Sequence, residues 1–197
     1  ILMILKPQKG EVLIDEIPSE EINLSSWRKQ VGYVTQDGVI FNGTILENIG
    51  GIDCNASDKE TFKKVKSAAK QANILSFIED LPQGFETNVG ERGVRLSGGQ
   101  RQRLFIAREL FREPSLLIFD EATSALDSSS EAEIIESINS LKGKITSIVI
   151  AHRLSTIKNS DRIFVMEAGR LVEEGTYSGL VNNSNSKFST MVALQKI

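Results

Sequence analysis

Short apolar runs bounded by polar residues recur along the chain and predict the strands of a buried sheet. The runs are VGYVT at 31, SLLIF at 115, SIVIA at 147 and RIFVM at 162. Runs of this length, separated by helical patterns, are typical of parallel strands that helices cover. The segments GEVLIDE at 10 and RIFVMEAGRLVEEG at 162–175 differ, because the second places a glycine-containing turn between two strand-like runs. They predict antiparallel β additions.

Apolar residues at three- and four-residue spacing predict the helices between these strands. The predicted helices are 25–30, 58–71, 74–80, 97–111 and 130–141, with another near 187–195. In the helix after Ser97, an apolar stripe of Leu104, Ala107 and Leu110 indicates the face that packs on the core. The predicted fold class is therefore α/β, with a mostly parallel sheet flanked by helices.

Composition excludes some function classes without selecting one. The 197 residues are 40% hydrophobic and 25% charged, which fits a single globular domain or one with a small subdomain. A net charge of -3 argues against a protein whose main task is to neutralise a nucleic-acid backbone. Because Cys54 and His152 are the only residues of their types, an internal disulfide and a paired-histidine zinc site are excluded. No apolar run approaches the roughly eighteen residues of a membrane span, so a partner would supply any membrane part.

The stretch RLSGGQRQR at 95–103 has the pattern of an anion-binding site at a helix N-terminus. Ser97 and Gln100 have the spacing of a capping box, which also begins many helices that bind nothing. Gly98 and Gly99 each cost about 1 kcal/mol relative to alanine in a helix, and their bare N–H groups suit a bound anion. No lysine follows these glycines, and the chain contains no G-x-x-x-x-G-K-[ST]. The phosphate must therefore be brought by something else.

Polar side chains follow the predicted strands where each strand ends. Asp120 and Glu121 come at the end of the run at 115, His152 follows the run at 147, and Gln36 follows the run at 31. Ligands of open α/β sheets lie beyond the carboxyl ends of the strands. Neighbouring strand residues point to opposite faces, so the two acids can divide their roles between a metal and a reacting water. This set suits Mg²⁺-dependent phosphoryl transfer. In the alternative interpretation, Asp120 merely ends the strand, Glu121 is solvated and the lone histidine is structural.

The chain resembles the nucleotide-binding domain of ABC transporters over essentially its whole length. Its motifs stand in the family's order. They are the Q-loop glutamine Gln36, the signature LSGGQ at 96–100, the Walker B motif LLIFDE at 116–121, the D-loop SALD at 124–127 and the switch histidine His152. The segments TNVGERG at 87–93 and FNGTILENI at 41–49 are similar to those of exporter-type domains. The resemblance implies a P-loop NTPase-like fold with a mainly helical signature subdomain at 37–113 and the antiparallel additions already predicted.

The resemblance also implies a role for each motif residue, with ATP and Mg²⁺ as cofactors. Asp120 would bind Mg²⁺ largely through water, Glu121 would polarise the hydrolytic water, and His152 would contact the γ-phosphate. Gln36 would join the network of Mg²⁺ and water. In the opposite subunit's site, Ser97, Gly98, Gly99 and Gln100 would cap the ATP, and Asp127 would act across the dimer interface.

The implied partners are a membrane-spanning domain, in the same chain or a separate subunit, and a second nucleotide-binding domain, with no nucleic acid. The implied location is the cytoplasmic face of the cell membrane. The loop after Gln36 and the loop that contains Glu91 would face the membrane domain and couple ATP binding to transport.

The family's Walker A and its adenine-stacking aromatic residue are expected before Ile1, because ILMILKPQKGEVLIDE at 1–16 resembles the end of the Walker A helix and the next strand. On this interpretation, residues 1–197 are a nucleotide-binding domain without its N-terminal strands, and we expect them to hold ATP poorly by themselves. Three hypotheses follow: an exporter ATPase, a catalytically silent interaction module, and a soluble ABC ATPase of the DNA-repair type. The absence of Walker A from residues 1–197 favours the second hypothesis, whereas Glu121 and His152 oppose it. The absence of coiled-coil heptads opposes the third.

Overall fold

The computed structural model describes residues 1–36, 38–123, 126–151 and 153–195. Near the N-terminus, β1 (Leu13–Ile14) and β2 (Ile17–Pro18) form a small antiparallel hairpin. Its turn residues Asp15 and Glu16 have φ of 48° and 66°, the conformation that a two-residue hairpin turn requires. GEVLIDE therefore forms the antiparallel addition that its pattern predicts.

A parallel sheet forms the centre of the described chain. Its strands are β3 (Val31–Thr35), β4 (Leu116–Asp120) and β5 (Thr146–Ile150), and β4 lies between the other two. The register pairs Thr35 with Asp120 and Asp120 with Ile150. Helix α1 (Leu24–Gln30) precedes β3, and its N-cap Asn23 accepts a hydrogen bond from Ser26 N–H. The parallel sheet flanked by helices confirms the predicted fold class.

Helices occupy the chain between β3 and β4. They are α2 (Ile45–Gly50), α3 (Lys59–Gln71), α4 (Leu75–Glu79) and α5 (Gly98–Phe111), with short 3₁₀ turns at Gly84–Glu86 and Glu91–Gly93. Both α2 and α3 pack against α5. The apolar pattern does not predict α2, although Thr44 and Glu47 form the capping box that a T-x-x-E sequence indicates. The subdomain boundary at 37–113 stays a prediction.

Helices and a second hairpin complete the described chain after β4. In order, these are α6 (Ser128–Ser140), then β5, α7 (Leu154–Ile157), β6 (Ile163–Glu167), β7 (Arg170–Gly175), α8 (Tyr177–Val181) and α9 (Lys187–Gln195). β6 pairs antiparallel with β7, and Ala168 and Gly169 form the turn with positive φ. Within the described residues, RIFVM therefore belongs to the hairpin and not to the parallel sheet. Helices α7 and α8 were not predicted, because four or five residues are too short to show a helical period.

The larger hydrophobic core lies between the parallel sheet and the helices around it. Fully buried side chains from four of its elements are Val34, Leu104, Ile106, Leu117, Phe119 and Ile134. Burying each one stabilises the fold by about 1.5–3 kcal/mol. A smaller cluster beneath the C-terminal hairpin contains Ile163, Val165, Leu180, Phe188 and Val192. None of the described helices combines the length and the hydropathy needed to cross a bilayer.

Candidate functional site

The parallel sheet brings several predicted site residues to one edge. Because Thr35, Asp120 and Ile150 are register partners, the strands β3, β4 and β5 end at the same level. Neighbouring strands are about 4.8 Å apart, so Gln36 lies beside the Asp120–Glu121 pair. His152, two residues beyond Ile150, lies outside the described residues, as do Ser124 and Ala125 of the SALD motif.

Asp120 ends β4 half-buried, with a hydrogen-bond donor on its carboxylate. The Tyr33 hydroxyl donates to Asp120 Oδ2 at 2.7 Å. This hydrogen bond, then burial and the carboxylate's charge, raise the pKa of Tyr33, so the phenol stays protonated at neutral pH. The motif inventory missed Tyr33. Its signal is positional, because Tyr33 lies on the same strand face as Thr35, the register partner of Asp120.

Glu121 adopts a left-handed backbone conformation directly after the strand, with a φ of 51°. For a residue with a side chain this conformation costs about 1–2 kcal/mol, and such strain is concentrated at functional sites. The Glu121 N–H donates to the Ile150 carbonyl at 3.0 Å, which continues the contact between β4 and β5. The chain therefore turns sharply at Glu121, and the adjacent residues Asp120 and Glu121 have different backbone conformations.

Ser97 caps α5 in the way that its sequence predicts. The Ser97 hydroxyl accepts from Gln100 N–H at 3.2 Å, and Gln100 Oε1 accepts from Ser97 N–H at 2.8 Å. Ser97 is exposed and Gly98 is half-buried. The positive end of the α5 dipole thus lies at the exposed residue Ser97, as binding of an anion at a helix N-terminus requires.

Gly99 has a packing role that the sequence did not reveal. A Cβ atom at this position would lie 2.5 Å from Ser130 Cβ, so α5 and α6 approach each other as closely as a glycine allows. The packing of α5 on α6 therefore accounts for the glycine at position 99, independently of any bound anion. A Cβ at Gly98 would be 3.2 Å from Leu126 Cδ2, which is also a tight contact.

Asp127 caps α6 close to the signature. Its carboxylate accepts hydrogen bonds from the Ser129 hydroxyl at 2.5 Å and from the N–H groups of Ser129 and Ser130 at 3.1 and 3.0 Å. These bonds, the one from the Ser129 hydroxyl above all, hold the pKa of Asp127 well below its usual range. Since Ser130 also packs on Gly99, the signature and Asp127 lie at the N-terminal ends of two helices in direct contact.

Comparison with known proteins identifies the family. A family model described as ABC transporter matches residues 1–124. The chain belongs to the ABC transporter family. This confirms the resemblance drawn from the motifs.

Curated ABC relatives match nearly the whole chain. It is 47% identical over 189 residues to an ATP-dependent lipid A-core flippase of Alkalilimnicola ehrlichii, covering 96% of the chain and 31% of that relative. It is 50% identical over 175 residues to the heterocyst differentiation ATP-binding protein HepA of Nostoc sp., covering 89% of the chain and 28% of that relative. The chain thus spans about a third of the length of these relatives.

A solved ABC structure shares the fold. The structure of a bacterial Atm1-family ABC exporter with ATP bound superimposes with a TM-score of 0.85 and 42% identity, covering 100% of this chain and 34% of that chain. The exporter-type resemblance of TNVGERG and FNGTILENI is therefore confirmed. The roles of the individual site residues stay predictions.

The residues at this strand edge fit a Mg²⁺ ion that water and substrate phosphates help to hold. Among the residues that the structure describes, no group of three or more histidine, cysteine, aspartate or glutamate side chains forms a metal cage. Mg²⁺ does not need one, since it is commonly held by one or two carboxylates together with water and substrate phosphates. Asp120, half-buried at the end of β4, is a suitable carboxylate for this arrangement.

Proposed function

We propose that this chain is the ATP-binding and ATP-hydrolysing domain of an ABC exporter, which powers transport by ATP-driven head-to-tail pairing with a second such domain. The observation that carries the proposal is the Asp120–Glu121 pair at the carboxyl end of β4, beside Gln36, in a chain of the ABC family. The Atm1-family neighbour, which is described with ATP bound, supports ATP as the ligand.

At the strand edge, each residue would take a separate part in hydrolysis. Asp120 would hold the Mg²⁺, which neutralises charge on the ATP phosphates. Glu121 would orient the attacking water and accept its proton, and Gln36 would hydrogen-bond that water from the neighbouring strand. His152 would contact the γ-phosphate. Tyr33, through its 2.7 Å hydrogen bond, would fix the orientation of the Asp120 carboxylate.

The signature would complete the site of the opposite domain. Ser97, Gly98, Gly99 and Gln100 would present the N-terminus of α5 to an ATP that a partner's phosphate loop holds, and Asp127 would act at the same interface. The exposed N-cap serine and the capping box support this role. A phosphate brought by a partner explains why no lysine follows these glycines.

The partners and the location follow from the same proposal. The names of the relatives, flippase and exporter, describe transport, so a membrane-spanning domain would be the partner. The chain would then work at the cytoplasmic face of the cell membrane. A catalytically silent interaction module is not favoured, because the curated relatives are named ATP-dependent and ATP-binding.

The substitution Glu121→Gln in the full-length transporter tests the proposal. We expect ATP hydrolysis to be lost, with kcat reduced at least about 100-fold, because the water loses its base. ATP binding should persist, since the groups that would contact phosphate are unchanged. Hydrolysis is measured by phosphate release, and binding is measured by equilibrium titration with a fluorescent ATP analogue.

Glu113→Gln is the matched control. Glu113 has nearly the same backbone conformation, with a φ of 53°, but it lies before the opposite end of β4. Its substitution should leave kcat unchanged. Turnover by the Glu121→Gln variant at the wild-type rate would contradict the assignment.

A further inference from the structure

Helix α5 holds the chain on both sides of Gln36. Gln102 Nε2 donates to the carbonyl of Thr35, the residue before Gln36, at 3.1 Å. Arg108 Nη1 donates to the carbonyl of Val39, three residues after Gln36, at 2.7 Å. Residues six apart on a helix are about 9 Å apart along its axis, so one helix contacts the backbone both before and after Gln36.

Between these hydrogen bonds, the same helix face packs directly on the backbone. The ring of Phe105, midway between Gln102 and Arg108, would lie 2.6 Å from a Cβ atom at Gly38. Phe105 is buried, and Gln102 is 4% exposed. The loop 38–44 therefore runs against α5 at a distance that a larger residue at position 38 would not allow.

Arg108 also organises the far side of the 38–44 loop through Asn48 of α2. Its Nε donates to the Asn48 carbonyl at 2.7 Å and its Nη2 to Asn48 Oδ1 at 2.9 Å. Asn48 Oδ1 accepts from Phe41 N–H at 2.9 Å, while Asn48 Nδ2 donates to the carbonyls of Phe41 and Thr44 at 3.0 and 2.9 Å. The planar, five-donor guanidinium suits acceptors that lie in different directions.

Two phenylalanine rings lie close to the Arg108 guanidinium. The centroids of the Phe41 and Phe105 rings lie 4.8 and 5.4 Å from Arg108 Cζ, within the range of a cation–π contact. Burial lowers the pKa of Arg108, and the nearby Glu109 carboxylate opposes this shift. The side chain remains charged at neutral pH, because arginine is effectively always protonated in proteins.

We propose that Arg108 is a positioning residue for Gln36: together with Gln102 it fixes the turn of chain around Gln36 to the helix that the signature begins, so that Gln36 and Ser97 move as one body. The proposal rests on the proposed function, in which Gln36 hydrogen-bonds the attacking water and so helps Glu121 to orient it. It assigns to α5 a connection between the two half-sites that neither motif contains. Arg108 itself contacts backbone and Asn48, and it is not placed at the phosphates.

Steady-state kinetics of the full-length transporter test the proposal. Arg108→Met and Gln102→Met should each lower kcat about tenfold, because small displacements of a water-orienting group raise the barrier for hydrolysis. The KM for ATP should change less than about twofold, since the proposed phosphate contacts are untouched. Arg108→Lys should not restore the rate, because one ammonium group cannot reach acceptors in different directions.

Arg112→Met is the matched control. Arg112 also leaves α5 to donate to a backbone carbonyl, that of Arg28 at 3.2 Å, but this carbonyl belongs to α1. Its substitution should leave kcat and KM unchanged. A loss of kcat from Arg112→Met equal to that from Arg108→Met would overturn the proposal, because any disturbance of α5 would then have the same effect.

A Gln36→Ala background separates positioning from a general loss of structure. If Arg108 acts through Gln36, then Arg108→Met should change the residual kcat of the Gln36→Ala protein by less than about twofold, because residues that act as a unit are non-additive. An undiminished tenfold loss in that background would overturn the proposal.

Amide hydrogen exchange tests the anchoring without any need for turnover. Arg108→Met should speed exchange in the 38–44 loop, with little change in the amides of β4 and β5. Unchanged exchange in the loop would overturn the proposal. If the wild-type protein exchanges as expected but does not hydrolyse ATP, the proposed function fails, while faster loop exchange in the variant still supports anchoring by Arg108.

Discussion

At its N-terminal end α5 meets α6 through a glycine, whereas its second half meets the 38–44 loop through long polar side chains. Gly99 lies against Ser130 with no room for a methyl group. Arg108 instead reaches the carbonyls of Val39 and Asn48 with its guanidinium. The first contact requires that position 99 has no side chain, and the second requires the hydrogen-bond donors of the Arg108 guanidinium. Helix α5 therefore does not tolerate a larger side chain at its N-terminal end or a shorter one at Arg108.

The largest loss of stability should come from removing the buried side-chain amide of Asn48, which Arg108 of α5 contacts. Asn48 is 1% exposed and is hydrogen-bonded to the backbone of Phe41 and Thr44. Replacing it in Asn48→Leu should lower the free energy of unfolding by about 3 kcal/mol, because donors and acceptors are left buried without partners. Urea unfolding followed by circular dichroism measures this change.

Asn139→Leu is the control for Asn48→Leu. Asn139 is a half-buried asparagine of α6, so the change in helix propensity is matched. We expect its free energy of unfolding to change by less than about 0.5 kcal/mol. Equal losses from both variants would show that the buried amide does not hold the loop.

A smaller loss should follow from adding volume at the other end of α5. Gly99→Ala should lower the free energy of unfolding by about 2 kcal/mol, because the new methyl group collides with Ser130. In the Ser130→Gly background the same substitution should cost less, by about 1 kcal/mol or more, since the colliding atoms are gone. Urea unfolding of the four proteins in this cycle measures the coupling. An equal cost in both backgrounds would mean that α6 does not limit position 99.

The smallest effect should be a change in how stability depends on pH. The pKa of Asp127 is lowered in the folded protein, so its contribution to stability is fully present above the unfolded pKa of about 3.9 and is lost as the pH falls through the lower folded value. Asp127→Asn keeps the side-chain oxygen but removes the charge at the N-terminus of α6. The variant should therefore be less stable than the wild type at pH 6, and the difference should shrink below about pH 4. Urea unfolding midpoints across this pH range provide the measurement, and a constant difference would contradict the proposed charge effect.

Much of the fold could be predicted from the sequence, because strands and helix caps are determined by residues that are close together along the chain. The apolar runs at 31, 115 and 147 form β3, β4 and β5, of which β3 and β4 are largely buried and β5 is only partly buried. Ser97 and Gln100 form the capping box that their spacing indicates. The register of the strands then explains why polar residues predicted at their ends lie at one edge.

Contacts between distant residues were beyond these signals. Ser130 lies 31 positions after Gly99, so nothing near the glycine indicates that α6 requires it. The hydrogen bond of Tyr33 to Asp120 spans 87 positions and depends on strand register. The acceptors of Arg108 include backbone carbonyls, which every residue has and which leave no pattern in a sequence.

The backbone anchoring of the 38–44 loop leaves the exposed side chain of Val39 free to diverge. Val39 and Phe41 are 63% and 52% exposed, yet Arg108 and Asn48 hold these positions through main-chain atoms that any amino acid except proline at position 41 would supply. Substitutions at Val39 can therefore alter the surface that the loop presents without releasing it from α5. The outer face of this loop can therefore vary in sequence among related chains, while the main-chain path beneath it is inherited unchanged.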